Sequence, residues 1–240
     1  MEDNLRDRFV ALAQALSSAP NVVVERTHVG NPIRKAYINM TFEDFGKMLL
    51  PESLGVFQEF DGAFLAWKYS TADDEDLWGG EFDIPQYSYL LENPDIKFDL
   101  PPFASEGRFS EFELHLFDQY QESLQSTLKV GLELRDGKEH LWLWNDDGEK
   151  YPLTLSIQQY FERLLETKGF IGWQYFFVDL DACDFGDPYF SENFAAVPND
   201  GMHRMEEFLE VMPRLFPDAD YSFYRERLAF FQEANANFVL

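Results

Sequence analysis

One cysteine, Cys183, is all that this chain of 240 residues carries. A single thiol excludes an internal disulfide framework and a thiolate metal cage, and it fits a reducing compartment. No apolar run approaches the roughly 20 residues needed to span a bilayer. The opening MEDNLRDRFVALAQALSSAP lacks the basic start and unbroken apolar core of a secretory leader. Together these absences lead to the expectation of a soluble, cytoplasmic protein. Basic side chains are scarce too. Lys and Arg number 19 against 44 Asp and Glu, a formal net charge of −25. Such an excess repels nucleic-acid phosphates and anionic membrane surfaces, and it attracts a basic partner over long range. Neither nucleic acid nor membrane is therefore expected as a partner.

The motifs of common catalytic sites are missing as well. There is no GxSxG, P-loop, HExxH, CxxC or dinucleotide-binding glycine fingerprint. The histidines His28, His115, His140 and His203 are scattered, and no two share metal-ligand spacing. His115 has Glu113 and Asp118 close by, which suits a fixed imidazole tautomer, but no nucleophile is paired with it. The string Asp179, Asp181, Asp184, Asp187 in VDLDACDFGDP invites a calcium reading and fails it. An EF-hand loop needs an oxygen ligand fifth and glycine sixth, where this chain has Cys183 and Asp184. In so acidic a setting the Cys183 thiolate is disfavoured, which argues against a reactive nucleophile. Among 44 acids no pair is singled out for glycoside hydrolysis. No catalytic residue, cofactor or metal ligand is assigned. The chain is expected to be no enzyme, and a carboxylate-dependent hydrolase is the enzyme reading that stays open.

What the chain has in quantity is rings: 25 Phe, 11 Tyr and 5 Trp, with 45% of residues hydrophobic. That content suits a large packed core and excludes low-hydrophobicity disorder. Leu5, Phe9, Leu12 and Leu16 mark an amphipathic first helix. NVVVERTHV and IRKAYINM, separated by Gly30-Asn31-Pro32, read as a hairpin. Thr41 with Asp44 offers a helix start for Phe42, Phe45 and Leu49. A further helix begins near Pro51 with the stripe Leu50, Leu54, Phe57 and Phe60. Gly62 then ends it in a left-handed cap, and AFLAWKY leaves as a strand with Leu65, Trp67 and Tyr69 on one face.

Residues 70–96 contain no Lys or Arg and read as a solvated loop. Asp73, Asp74, Glu75, Asp76, Glu81 and Asp83 alternate there with Trp78 and Phe82, around a Gly79-Gly80 pivot. FSEFELHLFDQYQESLQ fits both periods, and its helix formers favour a helix near 105–125. Residues 127–155 read as a meander, with turns at Asp136-Gly137 and Asp146-Asp147-Gly148. Trp67, Trp142 and Trp144 take core or half-buried sheet positions. Ser156 with Gln159 forms a capping box for a helix carrying Ile157, Tyr160, Phe161, Leu164 and Leu165, and Gly169 ends it. IGWQYFFVDL reads as a strand. Two amphipathic segments follow from Gly201, separated by Pro213 and Pro217.

LPESLGVFQEFDGAFLAWKY resembles the segment of the SUKH superfamily in which a leucine-proline-acid helix ends in Asn-Gly or Asp-Gly before an apolar strand. This superfamily unites yeast cell-wall assembly regulators and bacterial immunity proteins. EHLWLWNDDGEKYPLTLSIQQYFERLLE is similar to its closing pattern of strand, acidic turn and serine-capped helix, in the same order. The likeness covers roughly residues 40–170, with Asp61 where Asn is commoner and extra segments at both ends.

The resemblance implies an α+β domain with a central, mainly antiparallel sheet flanked by helices. Over 1–187 this would be the SUKH-like domain, elaborated by the N-terminal helix and hairpin, with 188–240 a helical extension packed on it. It also implies no enzymatic activity and a role like that of the bacterial members that neutralise secreted toxins, often nucleases, by binding. The expected site is the acidic, aromatic stretch Asp73, Asp74, Glu75, Asp76, Trp78, Glu81, Phe82 and Asp83, facing a basic protein partner. A regulatory or scaffold protein of the same fold, with another protein partner, is the alternative.

Overall fold

Asn4 opens the first helix by accepting the Asp7 amide at 2.9 Å. In the computed structural model of the chain, which describes residues 4–34, 52–70, 76–92, 114–120, 128–135, 138–144, 150–180 and 199–238, this is α1, Leu5–Ser18. Its expected stripe of Leu5, Phe9, Leu12 and Leu16 is the buried face. β1, Val22–Val29, follows and pairs antiparallel with β2, Ala63–Ser70, from Val22 opposite Tyr69 to Val29 opposite Ala63. The other half of the expected hairpin, from residue 35 on, and the helix expected after Thr41 lie outside the described residues.

Glu52–Gln58 is a 3₁₀ helix rather than an α-helix. Leu54, Phe57 and Phe60 are fully buried at intervals of three, the period at which 3₁₀ side chains line up. Phe57 and Phe60 stack with ring centroids 5.5 Å apart. Gly62 has φ +80°, as its place before β2 requires. Asp61 uses its carboxylate at the same corner, where Oδ1 accepts the Tyr87 amide at 3.0 Å. That bond opens α2, Tyr87–Glu92.

Where residues 70–96 are described, the expected loop is a strand followed by a short helix. β3, Asp76–Ile84, pairs antiparallel with β2, with a bulge between Trp67 and Lys68. Gly79 and Gly80 are no pivot. They are strand positions pressed against the Trp67 indole, whose N–H donates to the Lys168 carbonyl at 2.8 Å.

The expected helix near 105–125 is a strand where the chain is described: β4, Leu114–Gln119. Its alternation decided the outcome because β5, Lys129–Arg135, supplies an antiparallel partner. A bulge between Leu116 and Asp118 turns both Phe117 and Asp118 inward. The meander continues as β6, Lys138–Trp144, and β7, Lys150–Pro152, with Arg135 opposite Lys138 as the Asp136-Gly137 spacing requires. Two antiparallel sheets result, β1-β2-β3 and β4-β5-β6-β7.

Ser156 and Gln159 complete the expected box on α3, Ile157–Thr167. The Ser156 hydroxyl accepts the Gln159 amide at 3.2 Å, and Gln159 Oε1 accepts the Ser156 amide at 2.9 Å. Ser156→Ala should lower stability by about 1 kcal/mol in urea unfolding, with an unchanged slope.

Residues 168–180 then join the sheets. The Glu81 amide donates to the Gly169 carbonyl at 2.9 Å and the Ile171 amide to Gly79 at 3.1 Å, while the Thr154 amide reaches Phe177 at 2.9 Å. Between these anchors Trp173–Phe177 is a 3₁₀ turn, not the expected strand. All five of its residues are buried, so no polar face exists to reveal the period. The last helices are α4, Asn199–Leu215, and α5, Ser222–Phe238. Pro213 lies within α4 rather than ending it. Phe208 and Tyr224 pack edge-on against Phe176, and Arg227 donates to the carbonyls of Phe176 and Val178 at 2.8 and 3.1 Å. The architecture is α+β, antiparallel sheets flanked by helices with a helical C-terminal extension.

Candidate functional site

Strand periodicity sorts the acidic, aromatic stretch into an outside and an inside. Asp73, Asp74 and Glu75 lie outside the described residues. Asp76 is the first residue of β3, opposite Ser70. Trp78, opposite Lys68, is half-buried on the outer face of the first sheet. The Lys68 ammonium lies 4.5 Å from the indole centroid and 3.1 Å from Glu25 Oε1. This face of the strand thus already accommodates a cation between an indole and a carboxylate.

Glu81 and Phe82 do not belong to that surface. Glu81 is fully buried opposite Ala66, and Phe82 is a core ring 5.4 Å from Phe9. The loop reading gave both side chains to a partner; in the strand they point to opposite faces, Phe82 into the core beside Phe9 and Glu81 away from it, and both are buried. Asp83 is half-buried, with Oδ2 accepting Gln119 Nε2 at 3.2 Å. Burial raises its carboxyl above the ordinary range, partly offset by the Gln119 bond and by Arg26.

Asp118 is the group sequence reasoning passed over. It was read as a partner for His115, which is itself buried on β4. Its Oδ1 accepts the Asp83 amide at 2.9 Å and its Oδ2 accepts the Tyr160 hydroxyl at 2.6 Å. Gln174 Nε2 donates to Tyr160 at 3.2 Å, and Tyr120 donates to Gln174 Oε1 at 2.9 Å. One chain of polar groups therefore runs from β4 through α3 and the 173–177 turn, back to the end of β4. Burial pushes the Asp118 carboxyl from 3.8 up to about 7, against the lowering effect of the Tyr160 hydroxyl and the Asp83 amide. Burial also holds the Tyr120 and Tyr160 phenols well above their ordinary range, with Asp118 adding to the effect. The signal for Asp118 was an acid directly after Phe117 in an otherwise alternating run, a position that only a bulge turns inward.

An open groove of about 560 Å³ lies between α1 and β1, lined by Val10, Ala13, Gln14, Thr27, His28 and Val29 among others. Among the described residues no three His, Cys, Asp or Glu side chains gather to hold a metal ion, and no helix is long and apolar enough to cross a membrane. Glu133 is occupied by the Trp142 indole N–H at 2.9 Å. Among the described residues this arrangement offers a polar network inside and, on the outer face of the first sheet, the Trp78 indole beside Lys68 and Glu25. No family model, curated protein or solved structure matches the chain.

Proposed function

We propose that this chain is a non-enzymatic, SUKH-type binding protein of the immunity class, which neutralises a basic toxin such as a nuclease by occupying its surface. The observation that carries the reading is a paired strand that begins where the acidic run of the sequence ends. In a molecule of net charge −25, the run Asp73, Asp74, Glu75 leads directly into β3 at Asp76, and Trp78 follows on the outer face. A strand held on its inner side by Phe82, with Gly79 and Gly80 against the Trp67 indole, leaves Trp78 little freedom to lose on binding. The carboxylates that precede it in sequence would speed encounter with a basic protein and reject acidic ones, while Trp78 would supply contact area.

The binding face is therefore Asp73, Asp74, Glu75, Asp76 and Trp78, without Glu81, Phe82 and the Gln119-bonded Asp83. The test is capture from the source cells with the tagged full chain, then an activity assay on what is captured. A basic toxin silenced at one equivalent of this chain supports the proposal, and a partner with no toxic activity overturns it. With that partner in hand, Asp73→Asn, Asp74→Asn, Glu75→Gln and Asp76→Asn combined should slow association about tenfold or more at low salt and flatten its salt dependence. An association rate that does not change would remove the acidic run from the mechanism.

A further inference from the structure

β1 is the first strand of its sheet, with β2 on one side and no strand on the other among the described residues. Two bonds fix which of its main-chain groups look outward. The Ser70 amide donates to the Asn21 carbonyl at 2.9 Å, and the Gly30 amide to the Gly62 carbonyl at 2.8 Å. Bonded and non-bonded pairs alternate along an antiparallel ladder, and the bulge between Val24 and Arg26 resets the count. Val22, Val24, Thr27 and Val29 therefore turn their N–H and C=O groups away from β2. None of these groups meets a partner among the described residues. An open edge of this length is a template for another extended chain.

The sequence of β1 fits a second β1. A two-fold axis between Glu25 and Arg26 sets Val22 against Val29 and Val24 against Thr27 of the other copy, open positions against open positions. On the outer face the same axis brings Glu25 opposite Arg26 and Arg26 opposite Glu25, and both side chains are exposed. On the α1 side, Val22, Val24 and Val29 pack partly against the core. There Val22 and Val24 of the second copy come beside Val29 and Thr27, which line the open groove together with Val10 and Ala13. We infer that β1 is a self-pairing edge, through which two copies join their first sheets into one continuous antiparallel sheet.

Charge selects a second copy over a basic protein at this edge. Residues 1–34 balance four Arg against four acids, so the whole net charge of −25 lies in residues 35–240. The stretch that forms α1 and β1 thus carries none of the excess acid. It attracts a basic segment least and repels a second copy least. The repulsion that remains acts at long range, where salt screens it over about 8 Å at physiological ionic strength. Glu25 is braced by Lys68 at 3.1 Å, and the Arg26 guanidinium lies 5.0 Å from the Phe64 ring centroid. Both enter the cross-strand pair already oriented, which lowers the ordering cost of pairing.

Sedimentation velocity of the full chain over a concentration series tests the inference. A monomer–dimer equilibrium should appear and tighten severalfold as salt rises, opposite to the response of a complex with a basic protein. Thr27→Pro removes one outward donor and no bond to β2, and it should weaken the dimer about tenfold or more. Glu25→Lys alone and Arg26→Glu alone each set like charges across the axis and should sediment as monomers. An equal mixture of these two variants restores both pairs and should dimerise. Amide exchange should slow on dimerisation at Val22, Val24, Thr27 and Val29. A parent that stays monomeric at every concentration in high salt would leave the edge to another protein's strand and overturn the inference. So would a dimer in which these four amides exchange as in the monomer, or one indifferent to Thr27→Pro and to both charge reversals. No toxin enters the experiment, so its failure leaves the binding reading of β3 as it was.

Discussion

Phe161→Ala is expected to cost about 3–5 kcal/mol of folding stability, enough to leave much of the chain unfolded near body temperature. Phe161 is 1% exposed and sits where five other rings converge. Phe9 from α1, Phe57 and Phe60 from the first 3₁₀ helix and its exit, Phe117 from β4 and Tyr160 from α3 all lie within 5.5–6.3 Å of it, centroid to centroid. These neighbours belong to elements on both sides of the sheet junction, so the cavity left by alanine has walls that cannot close together. Phe161→Leu keeps most of the volume and should cost well under half as much. Urea unfolding followed by tryptophan fluorescence reads both variants. Similar costs for alanine and leucine would mean that the site collapses freely and that this ring is no keystone.

Phe161 also shows what one sequence can disclose. The Ser156-Gln159 box and the 3–4 spacing behind it gave α3, its start and its buried face, because local hydrogen bonds and helical period point the same way there. Gly169 was legible for the same reason, since it takes positive φ beside left-handed Lys168 at the helix end. Gly62 takes positive φ before β2 but caps no helix, the preceding one stopping at Gln58. The meander followed from its Asp-Gly turns. Failures came where tertiary partners outvoted local preference. Residues 114–119 carry a strand period next to strong helix formers, and only β5 decides between them. Trp173–Phe177 is buried throughout, polar Gln174 included, so neither period leaves a trace.

The candidate site was legible to a lesser degree. Composition pointed to charge and rings at 73–83, but their assignment to one surface assumed a loop. Strand pairing instead places Trp78 outside and Phe82 inside, and the Phe82 ring becomes part of the layer supporting the outer face. Asp118 escaped notice because its partners, Asp83 and Tyr160, come from distant stretches of chain. Long-range polar pairing has no local signature.

The outer strand end depends on how β3 is seated, which makes Gly80→Ala the second large expected effect, about 3 kcal/mol or more. A β-carbon at Gly80 would stand 2.4 Å from the Trp67 indole nitrogen and 2.6 Å from the Gly169 carbonyl oxygen. Neither obstacle yields easily. The indole is tied to Lys168, and Gly169 itself has φ +63° and accepts the Glu81 amide. Gly79 is the extra residue of the bulge, and a β-carbon there would meet the same ring at 2.1 Å. The glycine pair, next in the strand to Trp78, therefore makes room for the Trp67 indole. A double-mutant cycle with Trp67→Ala separates the two obstacles. Gly80→Ala should cost about 1–3 kcal/mol less in that background, because the ring it strikes is gone. Purely additive costs would assign the clash to the Gly169 carbonyl alone, and the indole would then have no part in seating the strand that carries the proposed binding face.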